Sequence, residues 1–143
     1  MADSFYDEIL IDHLMHPLHR HELCGECCSR KGKNPSCGDE ITLHLDIQDG
    51  KIVQGSYTGV GCAVSQASAD IMLDLIIGRE VEEAIKLKAL FKKMIDSEIT
   101  QEELEVLEEA GALQNISKMP ARVKCALLGW NTLECILEEN GAA

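Results

Sequence analysis

Residues 40–58 read EITLHLDIQDGKIVQGSYT, and this stretch decides the fold. Ile41, Leu43, Leu45 and Ile47 alternate with Thr42, His44 and Asp46, the period of a strand with one face buried. Gln48-Asp49-Gly50-Lys51 is a tight-turn signal, and Lys51 to Thr58, with Val53, Gly55 and Tyr57 in alternation, returns as the second strand of a hairpin. Two strands alone are marginal, so a short third is expected, between residues 17 and 38 or beyond a bulge at Gly55.

Upstream of the hairpin, Phe5, Tyr6, Ile9, Leu10, His13 and Leu14 recur at helical spacing, with Ser4 as N-cap and Pro17 as terminator. From Pro17 to Gly38 periodicity is lost, and the stretch reads as a long exposed loop. Downstream, Ala63 to Ile77 predicts a buried helix ending at Gly78, and Glu80 to Asp96 an amphipathic one. Thr100-Gln101-Glu102-Glu103 is a capping box opening another helix. Pro120 opens a last helix to about Glu139, with Val123, Leu127, Trp130, Leu133 and Leu137 inward. Strands early and helices late predict an α+β fold: a small antiparallel sheet of about three strands against about five to six helices, in one domain spanning 1–143.

The 143 residues are 45% apolar, enough to bury a core, and no apolar run is long enough to span a membrane. With 25 acidic against 13 basic residues the formal charge is −12, which repels a phosphate backbone and excludes nucleic acid as the expected partner. The N-terminal residues lack the pattern of a signal peptide, so the expected compartment is the cytoplasm. There the seven cysteines stay reduced and read as ligands, nucleophiles or small core residues rather than disulfides.

Three segments give cysteine a setting that a core residue does not need. In Asn34-Pro35-Ser36-Cys37-Gly38-Asp39, an extended backbone would point Cys37 and Asp39 to the same side, where a thiolate and a carboxylate share one cation. Gly59-Val60-Gly61-Cys62 places Cys62 at the start of the Ala63 helix, where orphan N–H groups and the helix dipole favour a thiolate. Arg122-Val123-Lys124-Cys125 places Cys125 in a first helical turn beside two cations. Cys37, Asp39, Cys62 and Cys125 together match the tetrahedral ligand count of zinc. A carboxylate beside three thiolates is a harder, more exchangeable ligand, which suits a chemical site better than a purely structural one. Any one of these cysteines alone reads more readily as a buried small hydrophobe.

In this order the three segments resemble the U-type iron–sulfur cluster assembly proteins, the SufU/IscU family. Asp12-His13 with Pro17, the motif 34–39, Gly59-Val60-Gly61-Cys62 followed by Ser65, Ala67-Ser68-Ala69 and Met72, and Pro120-Ala121-Arg122-Val123-Lys124-Cys125-Ala126-Leu127 with Trp130 carry the resemblance, from about Tyr6 to Leu137. It implies the SufE/NifU-like N-terminal domain fold. Lys124 stands where the scaffold branch carries a histidine, and Met119 to Lys124 differ from that branch's chaperone-read motif. An acidic segment from about Ser97 to Leu113 resembles an insertion of the zinc-dependent sulfurtransferase branch. The resemblance to that branch implies sulfur relay: a pyridoxal-phosphate cysteine desulfurase passes persulfide sulfur to Cys37, freed from zinc when a histidine of the desulfurase replaces it. Cys62, Cys125 and Asp39 keep the metal, Arg122 orients Cys37 or the arriving sulfur, and the sulfur goes on to a downstream scaffold or apoproteins. One alternative is a scaffold building a [2Fe–2S] cluster, or holding iron, on the same four ligands; another is a zinc-stabilised interaction module without chemistry.

The loop from His16 to Cys28 departs from the family pattern. Cys24-x-x-Cys27 with nearby His19 and His21 has the spacing of a second metal site or redox pair, against the more ordinary reading of a surface loop whose cysteines, Cys28 included, have no dedicated partner. Cys135 lies about 80° around the last helix from Cys125, at about 100° per residue, so it reads as packing. His13 reads as a packed or capping residue and His44 as part of a polar strand face. Asn115-Ile116-Ser117 matches a glycosylation acceptor that has no meaning without secretion.

Overall fold

The hairpin forms about a two-residue loop. Asp49 and Gly50 both take positive φ, +52° and +76°, the backbone of the turn type whose twist matches that of the strands it joins. The structure, a computed structural model, describes residues 8–23, 28–35 and 38–139. Its sheet has three antiparallel strands in the order β1 (Cys28–Asn34), β2 (Asp39–Gln48), β3 (Lys51–Val60).

The third strand thus lies inside the stretch that reads as a loop. Its sequence, CSRKGKN, shows no apolar alternation because its inner face meets the last helix through a glycine rather than a large side chain. A Cβ on Gly32 would sit 2.1 Å from the Thr132 hydroxyl, so only glycine allows this approach. The phase of β3 also differs from simple alternation. Asp46 pairs with Gln54 and Ile47 with Ile52, leaving Val53 as the extra residue of a bulge. Ile52 is therefore fully buried and Val53 39% exposed, the reverse of the alternation that puts Val53 in line with Gly55 and Tyr57.

Around the sheet run α1 (Glu8–Met15), α2 (Ala63–Ile76), α3 (Val81–Ile95), α4 (Gln101–Val106), a 3₁₀ helix (Glu108–Lys118) and α5 (Pro120–Glu139). The expected Ser4 cap and Phe5 and Tyr6 lie outside the described residues. Reciprocal capping boxes start α3 at Glu80/Glu83 and α4 at Thr100/Glu103. Ile41, Leu43, Leu45 and Tyr57 on the inner sheet face join α2 and α5 in one core, where Trp130 stacks on Phe91 at 4.4 Å between ring centroids. The acidic segment after Ser97 becomes α4 and the 3₁₀ helix, with Leu107 buried between the two and Ala110, Leu113 and Ile116 buried by the second. It is a packed element.

His13 ties three of these elements together. Only 5% exposed, it bonds Asp70 of α2 through Nδ1 at 2.6 Å and Glu109 of the 3₁₀ helix through Nε2 at 2.8 Å. Burial alone would depress its pKa, but the bonds to Asp70 and Glu109 and their charges outweigh it and hold the value above the ordinary 6.5. Asp70, fully buried, also accepts the backbone N–H of His19 at 2.9 Å, fixing the chain as it leaves α1. His44 lies on the outer sheet face between the hydroxyls of Ser29 and Thr58, as its strand position predicts. No helix of the described residues is long and apolar enough to cross a membrane.

Candidate metal centre

Three chain segments converge at one end of the inner sheet face. Asp39 is the first residue of β2, Cys62 is the N-cap of α2, and Cys125 is the sixth residue of α5. One ligand atom from each lies within 4.8 Å of the other two. Among the described residues this is the one group of cysteine, histidine and carboxylate side chains so placed. Asp39 and Cys125 are buried while Cys62 is half-exposed, so the cluster opens to solvent on the Cys62 side. Two thiol sulfurs and a carboxylate oxygen at these separations are a donor set that could hold a thiophilic divalent metal.

Glycines bring the backbones close enough. Gly59 has φ +130°, and a Cβ there would lie 2.0 Å from the Glu40 carbonyl oxygen, so β3 passes β2 only without a side chain. A Cβ on Gly61 would press on the Asp39 carboxylate at 3.1 Å, and its absence lets the next residue reach that group. The Cys62 backbone N–H donates to Asp39 Oδ1 at 2.9 Å and the Ser65 hydroxyl to Oδ2 at 2.6 Å. Burial raises the Asp39 pKa; the bonds from Ser65, the Cys62 amide and the two cysteine side chains more than offset this and keep it below the ordinary carboxylate value. The carboxylate is therefore ionised where a metal needs it. Asn34, buried at the end of β1, donates its amide to Cys125 Sγ at 3.6 Å.

Two details of the sequence argument change. Gly38 has φ +74° and its N–H bonds the Asn34 carbonyl at 2.9 Å, so the backbone at Gly38 is not extended. The geometric reason for placing Cys37 beside Asp39 fails, and Cys37 itself lies outside the described residues. Cys125 falls in the second turn of α5, because the helix begins at Pro120, and the helix dipole has faded there. Arg122 is half-buried three residues before Cys125, hence on the same helix face, whereas Lys124 is exposed one residue away. Cys24 and Cys27 lie outside the described residues. Cys28 begins β1, Cys135 is half-buried farther along α5, and neither joins the group. Ser65 and Asn34 carried no assigned role in the sequence reading. The position of Ser65 three residues after an N-cap ligand was the available signal.

This fold and sequence have counterparts among known proteins. The family model for the NifU-like N-terminal domain matches residues 5–126, and the chain belongs to that family. It is 40% identical over 134 residues to a protein of Thermotoga maritima named iron-sulfur cluster assembly scaffold protein IscU, covering 94% of this chain and 93% of that one. It is 35% identical to the zinc-dependent sulfurtransferase SufU of Bacillus subtilis, covering 92% of this chain and 88% of the relative. The crystal structure of FiSufU from Fervidobacterium islandicum superposes with a TM-score of 0.87 at 34% identity, over 96% of this chain and 99% of that one.

Proposed function

We propose that the protein accepts persulfide sulfur from a PLP-dependent cysteine desulfurase at a zinc site made of Cys37, Asp39, Cys62 and Cys125, and delivers it for iron–sulfur cluster assembly. The observation that carries this reading is the convergence of Asp39, Cys62 and Cys125 within 4.8 Å at a solvent-facing end of the sheet. Cys37 is the fourth ligand. Two peptide units separate it from Asp39, which tethers its Cα within about 7 Å of that residue's. Zinc, when bound, supplies an electrostatic field that keeps thiols deprotonated without redox chemistry.

The protein's own residues then divide the work. The Cys37 thiolate attacks the outer sulfur of the desulfurase persulfide; a new S–S bond forms at Cys37, the old one breaks, and the desulfurase cysteine leaves as a thiolate. Cys62, Cys125 and Asp39 remain as holding ligands, with Ser65, the Cys62 amide and Asn34 fixing their orientation. Arg122, on the Cys125 face of α5, orients Cys37 or the incoming sulfur. Sulfide release by a cysteine desulfurase, with and without the protein, tests the reading. Stimulation by the native protein and its loss in Cys37→Ala, with the fold retained, are the expected results; equal rates in all three would overturn it.

A second reading has one observation in its favour: the Thermotoga maritima relative, 40% identical, is named as a scaffold. On that reading the same four ligands hold an iron–sulfur cluster, and the protein as isolated without oxygen is brown rather than colourless. Lys124, in place of the histidine of scaffold-type members, supports the sulfur-transfer reading.

A further inference from the structure

Gln66, the fourth residue of α2, holds the chain on both sides of Cys62. Its backbone N–H donates to the Cys62 carbonyl at 3.2 Å, the bond that opens the helix. Its side chain reaches back past the N-cap, where Nε2 donates to the Gly61 carbonyl oxygen at 2.8 Å. A carbonyl only accepts, so the nitrogen rather than the oxygen of the Gln66 amide must face it. The two peptide groups that flank the Cys62 Cα are thus both held by one residue.

Starting a helix does not require the second of these bonds. The groups left over at a helix N-terminus are N–H donors, and in the usual reciprocal cap a glutamate or glutamine accepts the N–H of the N-cap residue. Here Asp39 Oδ1 takes that N–H at 2.9 Å, and the Cys62 side chain makes no capping bond of its own. Gln66 instead donates one peptide earlier, to the oxygen of a residue that is only half-buried. What the bond fixes is the plane of the 61–62 peptide. The same peptide carries the N–H that grips Asp39. A donor at its oxygen and an acceptor at its hydrogen polarise the group in the same sense, so each bond strengthens the other. The row from the Gln66 amide through the Gly61 carbonyl and the Cys62 N–H to the Asp39 carboxylate joins two residues of the candidate centre through one peptide group.

We propose that Gln66 is a positioning residue for the metal centre: its amide sets the plane of the 61–62 peptide, and with it the aim of the Cys62 sulfur and the hold on Asp39. This rests on the reading that zinc sits on Asp39, Cys62 and Cys125 together with Cys37. Gln66 acts through Gly61 and Cys62 and contributes no ligand atom. Loss of such an outer partner weakens metal binding by about tenfold or more.

The test compares Gln66→Met, which keeps the length and helix preference of the side chain but cannot donate, with Gln66→Ala, which removes both stem and donor. Zinc affinity of the full chain is read by chelator competition, and the visible thiolate and d–d bands of the cobalt(II)-loaded chain report the geometry at the sulfurs. Both variants should bind zinc about tenfold more weakly and shift the cobalt bands, while the urea midpoint of the metal-free protein changes little. Gln54→Met, at an exposed position of β3 opposite Asp46, should match the native protein in all three measurements. Native affinity and bands in both Gln66 variants would overturn the proposal and leave the zinc reading standing. A loss in Gln66→Ala that Gln66→Met does not share would assign the residue to packing and overturn it too, as would a weaker affinity matched by an equal loss of metal-free stability. A native protein that binds neither zinc nor cobalt overturns the zinc reading and this one with it.

Discussion

Ser65 donates its hydroxyl to Asp39 Oδ2 at 2.6 Å, from the first turn of the same helix whose N-cap amide holds Oδ1. The carboxylate of the candidate centre is thus gripped at both oxygens by α2, so the helix that presents Cys62 also aims Asp39. Ser65→Ala removes one grip and leaves the ligand set whole. Zinc affinity, read by competition with a chromogenic chelator, should fall by about 10- to 100-fold with little change in melting temperature. Unchanged affinity would mean that Ser65 serves packing alone.

Asn34→Ala removes the amide that points at Cys125 Sγ. Because Asn34 is buried and its partner lies in the core, a loss of about 1 kcal/mol in stability is expected by urea unfolding of the metal-free protein. A weaker zinc affinity should accompany it.

Gly59→Ala tests the close strand approach that delivers Cys62. With φ at +130° and the added carbon 2.0 Å from the Glu40 carbonyl oxygen, the change should cost about 3 kcal/mol or more and shift the urea midpoint strongly downward. Gly50→Ala, whose added carbon meets nothing within 4 Å, should cost less and serves as the reference for turn glycines.

His13 sets a pH dependence. Its pKa in the folded protein is raised above the ordinary 6.5 by Asp70 and Glu109, despite burial. A raised value means that the protonated form favours the fold. The stabilisation is complete below about pH 6.5 and fades as pH climbs through the higher folded value. His13→Ala leaves the buried Asp70 without its cation and should cost about 3 kcal/mol at the acidic end. The gap between native and variant in urea unfolding should narrow as pH rises; a constant gap would contradict the assignment.

The hairpin, α2, α3, α4 and α5 are legible in the sequence because each has a strong period or cap: alternation at Ile41 to Leu45, Asp49-Gly50 at the turn, the box at Thr100 that opens α4. The third strand expected between residues 17 and 38 is β1, but its exact residues are not legible, since CSRKGKN owes its place to backbone pairing with β2 and to Gly32 lying under Thr132, neither of which leaves an apolar pattern. The bulge at Val53 escaped for a related reason: one extra residue reverses which neighbours face the core, and only the pairing with β2 reveals it. At the centre, residue type and setting point to Asp39, Cys62 and Cys125, although the positive φ of Gly38 departs from an extended backbone and Cys125 lies in the second turn of α5 rather than the first. Ser65 and Asn34 stayed unassigned because hydroxyl and amide groups are common, and only a partner in space gives them a role.

X-ray absorption at the zinc edge of the purified protein tests the central claim most directly. The account predicts three sulfur neighbours at about 2.3 Å and one oxygen at about 2.0–2.2 Å, falling to two sulfurs in Cys37→Ala. A native shell of nitrogen and oxygen alone, or one that Cys37→Ala, Cys62→Ala and Cys125→Ala all leave unchanged, would contradict it.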